Sequence, residues 1–168
     1  QTCAFRSGLN LDSLVADENG DVPLIYWPVA PNFGDLLSPW LFSKITGRAV
    51  KPLFSRVQPA SRIKSIVLKS TEASDLRRPH YISIGSIISR ARDTSIVWGT
   101  GSFGTEQNVQ LPTGARYCAV RGPLTRQLLR NAGIDAPEVF GDPALLVPML
   151  FPAPKTKTHD IGLVRSEE

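Results

Sequence analysis

The sequence is 168 residues long, with 42% hydrophobic and 20% charged residues, which suits one domain with a real core and excludes a disordered chain. No run of 18 apolar residues occurs, so we expect no transmembrane helix. The net charge of +4 is unevenly spread, because residues 44–92 carry a local balance of +9 and the remainder a balance of −5. The basic part suits a solvated face or a surface that meets an anionic ligand or anionic lipid. Nucleic acid is not an expected partner, because aromatic residues do not interleave with these charges.

The first half of the chain alternates short apolar runs with one helical pattern. Residues 1–22 are typical of a loose lead-in, and the run Pro23–Trp27 predicts a strand. A helix is predicted over 35–47, with Pro39 near its first turn, where proline is tolerated, and a glycine as its stop signal. Residues 48–54 predict a weak strand. The apolar positions of the predicted helix 35–47 are Leu36, Leu37, Leu41 and Ile45.

The polar, basic and poorly patterned stretch 55–79 is interpreted as an insertion, in which residues 65–68 could form a further strand. Three stronger strands are then predicted within 80–88, 94–104 and 115–122, and each runs into a glycine-containing turn.

The clearest helix signal follows these strands. It begins at Pro123, whose missing N–H would be unpaired at a helix start, and stops at Gly133. Its apolar face is predicted to contain Leu124, Leu128 and Leu129. Residues after it, up to position 150, predict one short strand and a loop.

Strand–helix alternation predicts an α/β fold over residues 23–150, with a Rossmann-like, mostly parallel sheet and helices on both faces. Four prolines crowd residues 143–154, which is typical of a linker. The run "HDIGLV" after them resembles the first strand of another domain. We therefore expect residues 151–168 to be a proline-rich linker and the first strand of a second domain that these residues do not contain.

Several predicted strands end in glycine-containing polar turns: "NFGD", "IGS", "WGTGS", "VRGP" and "FGDP". The carboxyl ends of parallel strands lie at one edge of a sheet, where ligands bind in open α/β folds. Glycine lets backbone approach a ligand there, although plain turns use glycine as well. Five such turns together favour a binding site at this edge.

Three charged residues in these turns have both a structural and a chemical interpretation. Asp35 either caps the helix that follows it or aims a carboxylate at a ligand hydroxyl as a base. Arg121 either holds phosphate or carboxylate at a helix start or forms an ion pair with Asp35 or Asp142. Asp142 has the same two interpretations: it either contributes to the site or only shapes an Asp-Pro turn. No metal site is visible, and Cys3 and Cys118 lack metal or redox spacing, which favours reduced cytosolic thiols.

The segments "NFGDLLSPWLFSKITG", "SIGSII", "VWGTGS", "AVRGPLTRQLLRNAGI" and "FGDPALLVPML" together resemble the N-terminal half of the polysaccharide pyruvyl transferase family. Their order and spacing carry the resemblance, which covers roughly residues 25–150. It implies one half of a two-domain architecture similar to that of GT-B glycosyltransferases. It also implies transfer of an enolpyruvyl unit from phosphoenolpyruvate to a sugar, closed to a ketal in an exopolysaccharide or cell-wall polymer. No cofactor is implied beyond phosphoenolpyruvate as donor.

The resemblance also assigns residues to an interdomain cleft. It makes Asp35 the candidate base, Arg121 the candidate anion ligand and Asp142 a third catalytic candidate. The family's donor-binding arginine and histidine belong to its second domain, so we expect the 168 residues alone to be inactive or incomplete. The predicted substrate-binding residues are Asn32, Gly34, Gly85, Ser86, Gly99, Thr100, Gly101, Ser102, Gly122 and Thr125.

The expected partners are a sugar or lipid-linked oligosaccharide acceptor and the second domain. A homodimer is left open, as is peripheral association with the inner face of the membrane from a cytoplasmic location. Two alternatives also stay open: a GT-B nucleotide-sugar glycosyltransferase, and a truncated, non-catalytic binding or dimerising module.

Overall fold

The computed structural model of the chain describes residues 13–26, 32–53, 75–104, 110–152 and 156. Within them, five short strands form one sheet in the order β2-β1-β3-β4-β5, and all four pairings are parallel. The strands are β1 (Val22–Ile25), β2 (Val50–Pro52), β3 (His80–Ile82), β4 (Ser95–Trp98) and β5 (Arg116–Ala119).

Helical elements follow three of these strands. They are α1 (Phe33–Thr46), α2 (Pro123–Asn131), α3 (Val147–Leu150) and two 3-10 helices, Ile88–Arg90 and Pro143–Leu146.

The strand order places a topological switch point between β1 and β3. β1 pairs with β2 on one side and with β3 on the other. The connection from β1 to β2 therefore runs towards one edge of the sheet, and the connection from β2 to β3 returns to the other side of β1. In doubly wound sheets of order 2-1-3-4-5, the crevice beyond the carboxyl ends of these two strands is where ligands bind. The fold therefore directs attention to the turns that follow β1 and β3.

Both faces of the sheet are covered, as predicted. On one face Leu24 packs with Phe42 of α1, because side chains alternate between the faces along a strand. On the other face Ile82 and Val97 form a buried cluster that continues through Tyr117 towards α2. The Rossmann-like α/β prediction is thus confirmed, with helices on both sides of a parallel sheet.

Helix α1 begins two residues earlier than predicted, and its cap differs from the one expected. The Asn32 side chain accepts a hydrogen bond from the Gly34 backbone N–H at 2.8 Å, so Asn32 is the N-cap. Asp35 lies in the first turn, and the capping interpretation of Asp35 is wrong. Pro39 lies in the second turn and has no N–H, so the carbonyl of Asp35 receives no helical hydrogen bond from it. Gly47 ends the helix in the left-handed conformation, as predicted.

The exposed faces of two helices also differ from the sequence interpretation. In α1 the buried residues are Ser38, Leu41 and Phe42, while Leu36 is exposed. In α2 Leu129 is fully buried, but Leu124 is 86% exposed although it was assigned to the apolar face. The buried stripe of α2 runs through Thr125 instead, because residues four apart share one face of a helix.

The segment before α3 is more helical than expected. Instead of a short strand and a loop, it forms a single bridge between Val120 and Phe140 and then the 3-10 helix Pro143–Leu146, which runs directly into α3.

Strand β1 begins one residue before the predicted strand. Leu14 packs near this strand, so the lead-in contributes to the core.

Several predictions fall outside the described residues: the strand at 65–68, most of the insertion, the first twelve residues, and "HDIGLV" after the linker. In the part of the chain that the structure does describe, no helix combines the length and apolarity that crossing a membrane requires.

Candidate functional site

The turns after β3, β4 and β5 are joined to one another by hydrogen bonds beyond the ends of the strands. The Gly85 carbonyl accepts from the Thr100 hydroxyl at 2.8 Å and from the Gly101 backbone N–H at 2.9 Å. The Arg121 backbone N–H donates to the Thr100 carbonyl at 3.1 Å, and the Gly99 N–H to the Ala119 carbonyl at 2.9 Å. The predicted residues Gly85, Gly99, Thr100 and Gly101 therefore form one connected edge.

Arg121 projects its guanidinium along this edge. Its Nη1 donates to the Ser86 hydroxyl at 2.7 Å and its Nη2 to the Ser102 carbonyl at 2.8 Å. The guanidinium also lies against Gly101, where a Cβ atom would come within 2.4 Å of its Cζ. No carboxylate among the described residues forms an ion pair with Arg121, so the predicted alternatives of pairing with Asp35 or Asp142 are wrong. The positive charge is held in place by neutral groups.

Asp35 faces the same turn from the side of α1. Its Oδ1 is 4.0 Å from the position that a Cβ atom would take on Gly85. Burial raises the pKa of the Asp35 carboxyl above its ordinary value, because desolvation disfavours the charged form. Gly85 and Ser86 thus lie between a carboxylate from the β1 side and a guanidinium from the β5 side, at the switch point of the sheet.

Two predicted site residues have structural roles that account for them. The Asp142 Oδ1 accepts from the Ala144 backbone N–H at 2.9 Å and caps the 3-10 helix that follows. Gly99 has a φ of +84° and lies against Pro143, where a Cβ atom would come within 2.2 Å of the ring Cδ. The close approach at Gly99 is therefore made by the protein itself, and the architectural interpretation of the "FGDP" turn is the one the contacts support.

The remaining predicted residues divide between the two helix starts. Asn32 and Gly34 form the cap of α1, as described above. Gly122 is the N-cap residue of α2 and provides no side chain to cap it. Thr125 lies in the first turn of α2 with only 5% of its surface exposed.

Exposed apolar side chains surround this edge, and sequence analysis did not identify them as candidates. Phe103 is 76% exposed after β4, and Leu124 is 86% exposed at the start of α2. Both line a groove of about 600 Å³ that also contains Arg121 and Thr125.

A second groove, of about 380 Å³, lies between α1 and α3. It is almost wholly apolar and is lined by Phe33, Leu36, Leu37, Trp40, Val147 and Phe151.

No group of three or more potential metal ligands comes together among the described residues. Comparison of the chain with protein-family models, with curated proteins and with solved structures found no match.

Proposed function

We propose that this chain is the N-terminal half of a polysaccharide pyruvyl transferase, which moves an enolpyruvyl unit from phosphoenolpyruvate to a sugar and closes it to a ketal. The observation that carries the proposal is the placement of Asp35 and Arg121 on either side of the Gly85–Ser86 turn. This turn follows β3 at the switch point, where doubly wound sheets bind ligands. The sequence motifs that resemble the family contain these same residues.

The chemistry requires a base for the attacking sugar hydroxyl. A carboxylate is the most effective base when its pKa is raised towards the working pH. It then accepts a proton more readily while it is still largely ionised. Burial moves the pKa of Asp35 in that direction. In the proposed mechanism the Asp35 carboxylate accepts the hydroxyl proton as the sugar oxygen bonds to the central carbon of the donor. The donor's methylene takes up one proton and becomes a methyl group, which balances the proton accepted by Asp35. A second hydroxyl of the same sugar then bonds to the same carbon while phosphate leaves with the electron pair of its C–O bond, and the proton of this second hydroxyl departs with the phosphate.

The donor and the leaving phosphate are anions, and Arg121 supplies the matching charge. A guanidinium already oriented by Ser86 and by the Ser102 carbonyl loses little side-chain freedom when an anion binds. Its lack of a carboxylate partner among the described residues leaves its charge available to a ligand. The proposal includes a second α/β domain that closes over this edge in a GT-B-like arrangement, where it would cover exposed residues such as Phe103.

The test is an assay on the full reading frame that encodes these residues, supplied with phosphoenolpyruvate and a panel of hexosides and hexose-containing polysaccharides. We expect release of inorganic phosphate together with a new ketal methyl signal in the proton spectrum of the acceptor. Arg121→Gln should abolish both, whereas Arg130→Gln should leave both intact, because Arg130 is an exposed arginine in the last turn of α2, at the opposite end of that helix from Arg121.

Nucleotide-sugars form the competing arm of the same assay. Sugar transfer from a nucleotide-sugar, with phosphoenolpyruvate left unconsumed, would replace the proposal by a glycosyltransferase. If neither donor is consumed while the folded protein binds acceptor, a non-catalytic binding module would be the better description.

A further inference from the structure

Helix α1 is apolar on two faces, and only one of them packs on the sheet. Its inner face is buried through Leu41 and Phe42. Its outer face carries Phe33, Leu36 and Trp40, which follow one another at helical spacing. A helix that is apolar on both faces is normally buried on both. Here the outer face meets solvent, with Phe33 81% and Leu36 47% exposed.

The segment around α3 extends this apolar surface. The groove of about 380 Å³ between α1 and α3 is almost wholly apolar, and Phe151, which follows α3, is 68% exposed beside it. Large apolar side chains that project together from two segments mark a surface that binds a partner. We call this surface the α1–α3 face, and its residues are Phe33, Leu36, Leu37, Trp40, Val147 and Phe151.

The exposed charges near the α1–α3 face are all positive. Lys44 lies one turn after Trp40 on the same side of α1, Arg48 follows the end of the helix, and both are exposed. The other charged residues within 32–48 and 139–152 are Asp35 and Asp142, which are half-buried, and Asp142 caps the 3-10 helix. The charge at this face therefore complements an anionic partner.

The combination of groups defines the class of partner. Phenylalanine, leucine and tryptophan on one side of a helix, with lysine at the edge, are typical of helices that lie in the plane of a bilayer surface. A lysine at such an edge lays its aliphatic stem on the apolar surface and keeps its ammonium among the headgroups. We propose that the α1–α3 face binds the surface of an anionic lipid bilayer. Phe33, Leu36 and Phe151 would enter the acyl boundary, and Lys44 and Arg48 would meet the headgroups.

A membrane bound in this way would lie beside the carboxyl edge of the sheet. Phe33 precedes Asp35 by two residues in the first turn of α1. If Asp35 is the base of the proposed function, the membrane would bring a lipid-linked acceptor to it. The binding itself does not require that function.

The experiment is flotation of the full chain with vesicles of phosphatidylcholine alone and with vesicles that also contain phosphatidylglycerol. We expect binding to the anionic vesicles to be about tenfold or more tighter, because each basic residue near an anionic surface adds attraction. High salt should weaken this binding, because it screens exposed charges. The emission of Trp40 should shift to the blue, and Trp40→Phe should still bind while losing that shift.

Matched variants locate the surface. Phe33→Ser and Phe151→Ser should each weaken binding to the anionic vesicles by about tenfold, because each removes an inserted aromatic ring. Leu124→Ser is the control and should bind like the parent, because Leu124 is 86% exposed but lies at the start of α2.

Two further variants test the charges. Lys44→Gln combined with Arg48→Gln should weaken binding to the anionic vesicles by about tenfold and leave the weak binding to phosphatidylcholine unchanged. Arg130→Gln, which removes an exposed charge from the last turn of α2, should change neither. Circular dichroism checks that each variant is folded.

Three results would overturn the inference: no binding to the anionic vesicles, equal binding by the parent and by Phe33→Ser and Phe151→Ser, or an equal loss in Leu124→Ser. A dimer that Phe33→Ser dissociates, without vesicle binding, would assign the face to a second copy of the chain and also overturn it. Because binding to vesicles is measured directly, a negative result here is distinct from a failure of the transferase assay. A chain that floats with anionic vesicles but consumes no phosphoenolpyruvate would retain this surface and lose the proposed function.

Discussion

Gly99 tests whether the turns at the carboxyl edge pack against each other as the structure has them. A methyl group at this position would lie 2.2 Å from Cδ and 2.5 Å from Cγ of Pro143, and 2.9 Å from the carbonyl oxygen of Gly141. The φ of +84° adds strain for any residue with a Cβ atom. Gly133 is a matched control, because its φ is +76° and its Cβ position meets nothing within 4 Å.

The two variants separate strain from overlap. Gly133→Ala should cost roughly 1–2 kcal/mol, which is the cost of an L-residue in a left-handed conformation. Gly99→Ala should carry the same strain and a further ~1–3 kcal/mol, because a proline ring and a backbone carbonyl cannot move aside cheaply. Urea unfolding followed by circular dichroism measures both differences in free energy of unfolding. Equal losses in the two variants would refute the close packing of Gly99 on Pro143.

Three further predictions concern buried polar groups and a helix cap. His80 is buried, and its Nε2 lies 2.8 Å from the Ser95 hydroxyl. Burial lowers the pKa of His80 below 6.5, so its contribution to the free energy of unfolding is complete above that pH. As the pH drops from there towards the folded-state pKa, the free energy of unfolding falls by at most about 1.4 kcal/mol per pH unit. Urea midpoints at about pH 7 and about pH 5 should differ less in His80→Asn than in the parent, and an unchanged difference would argue against this role. Ser38→Ala should be neutral or slightly stabilising, because the Ser38 hydroxyl is buried without a partner in the described residues. Ser83→Ala should lower the free energy of unfolding by about 1 kcal/mol, because it removes the 2.9 Å hydrogen bond to the Trp98 carbonyl. The reverse order in urea unfolding would contradict both expectations. Asn32→Ala should cost about 1 kcal/mol as a lost N-cap while Asp35→Ala costs less, and a larger loss for the aspartate would restore it as the cap.

The strand pattern of the sheet was accessible from the sequence because its signals are local. Runs such as Ser95–Trp98 are β-branched and aromatic, and each of the predicted strands from β1 to β5 is found near its predicted place. The C-terminal glycine stop of α1 and the proline start of α2 were equally readable, since each follows from one residue's backbone preference. The strand order was not accessible, because pairing between distant segments leaves no periodic signal in the sequence.

The candidate site was partly accessible for the same reason. Placing Asp35 and Arg121 in the turns after strands needed only the motif positions, but their approach to the Gly85–Ser86 turn from two sides depends on β1 and β5 being arranged around β3. The exposure of Leu124 was mispredicted because a count of helical spacing does not say where the buried stripe begins. The cap of α1 is Asn32 and not Asp35, since an amide and a carboxylate three residues apart can both cap a helix and only the start of α1 decides between them.

The most direct measurement of the central claim compares Asp35→Asn with the parent in the full reading frame, using phosphate release from phosphoenolpyruvate in the presence of acceptor. If Asp35 is the base, the rate should fall by about 10²–10⁴-fold while the urea midpoint stays near that of the parent. Ser83→Ala serves as the control, because loss of its 2.9 Å bond to the Trp98 carbonyl should lower stability by about 1 kcal/mol and retain most of the activity. An Asp35→Asn protein that releases phosphate at the parent's rate would contradict the assignment of this edge as the catalytic site.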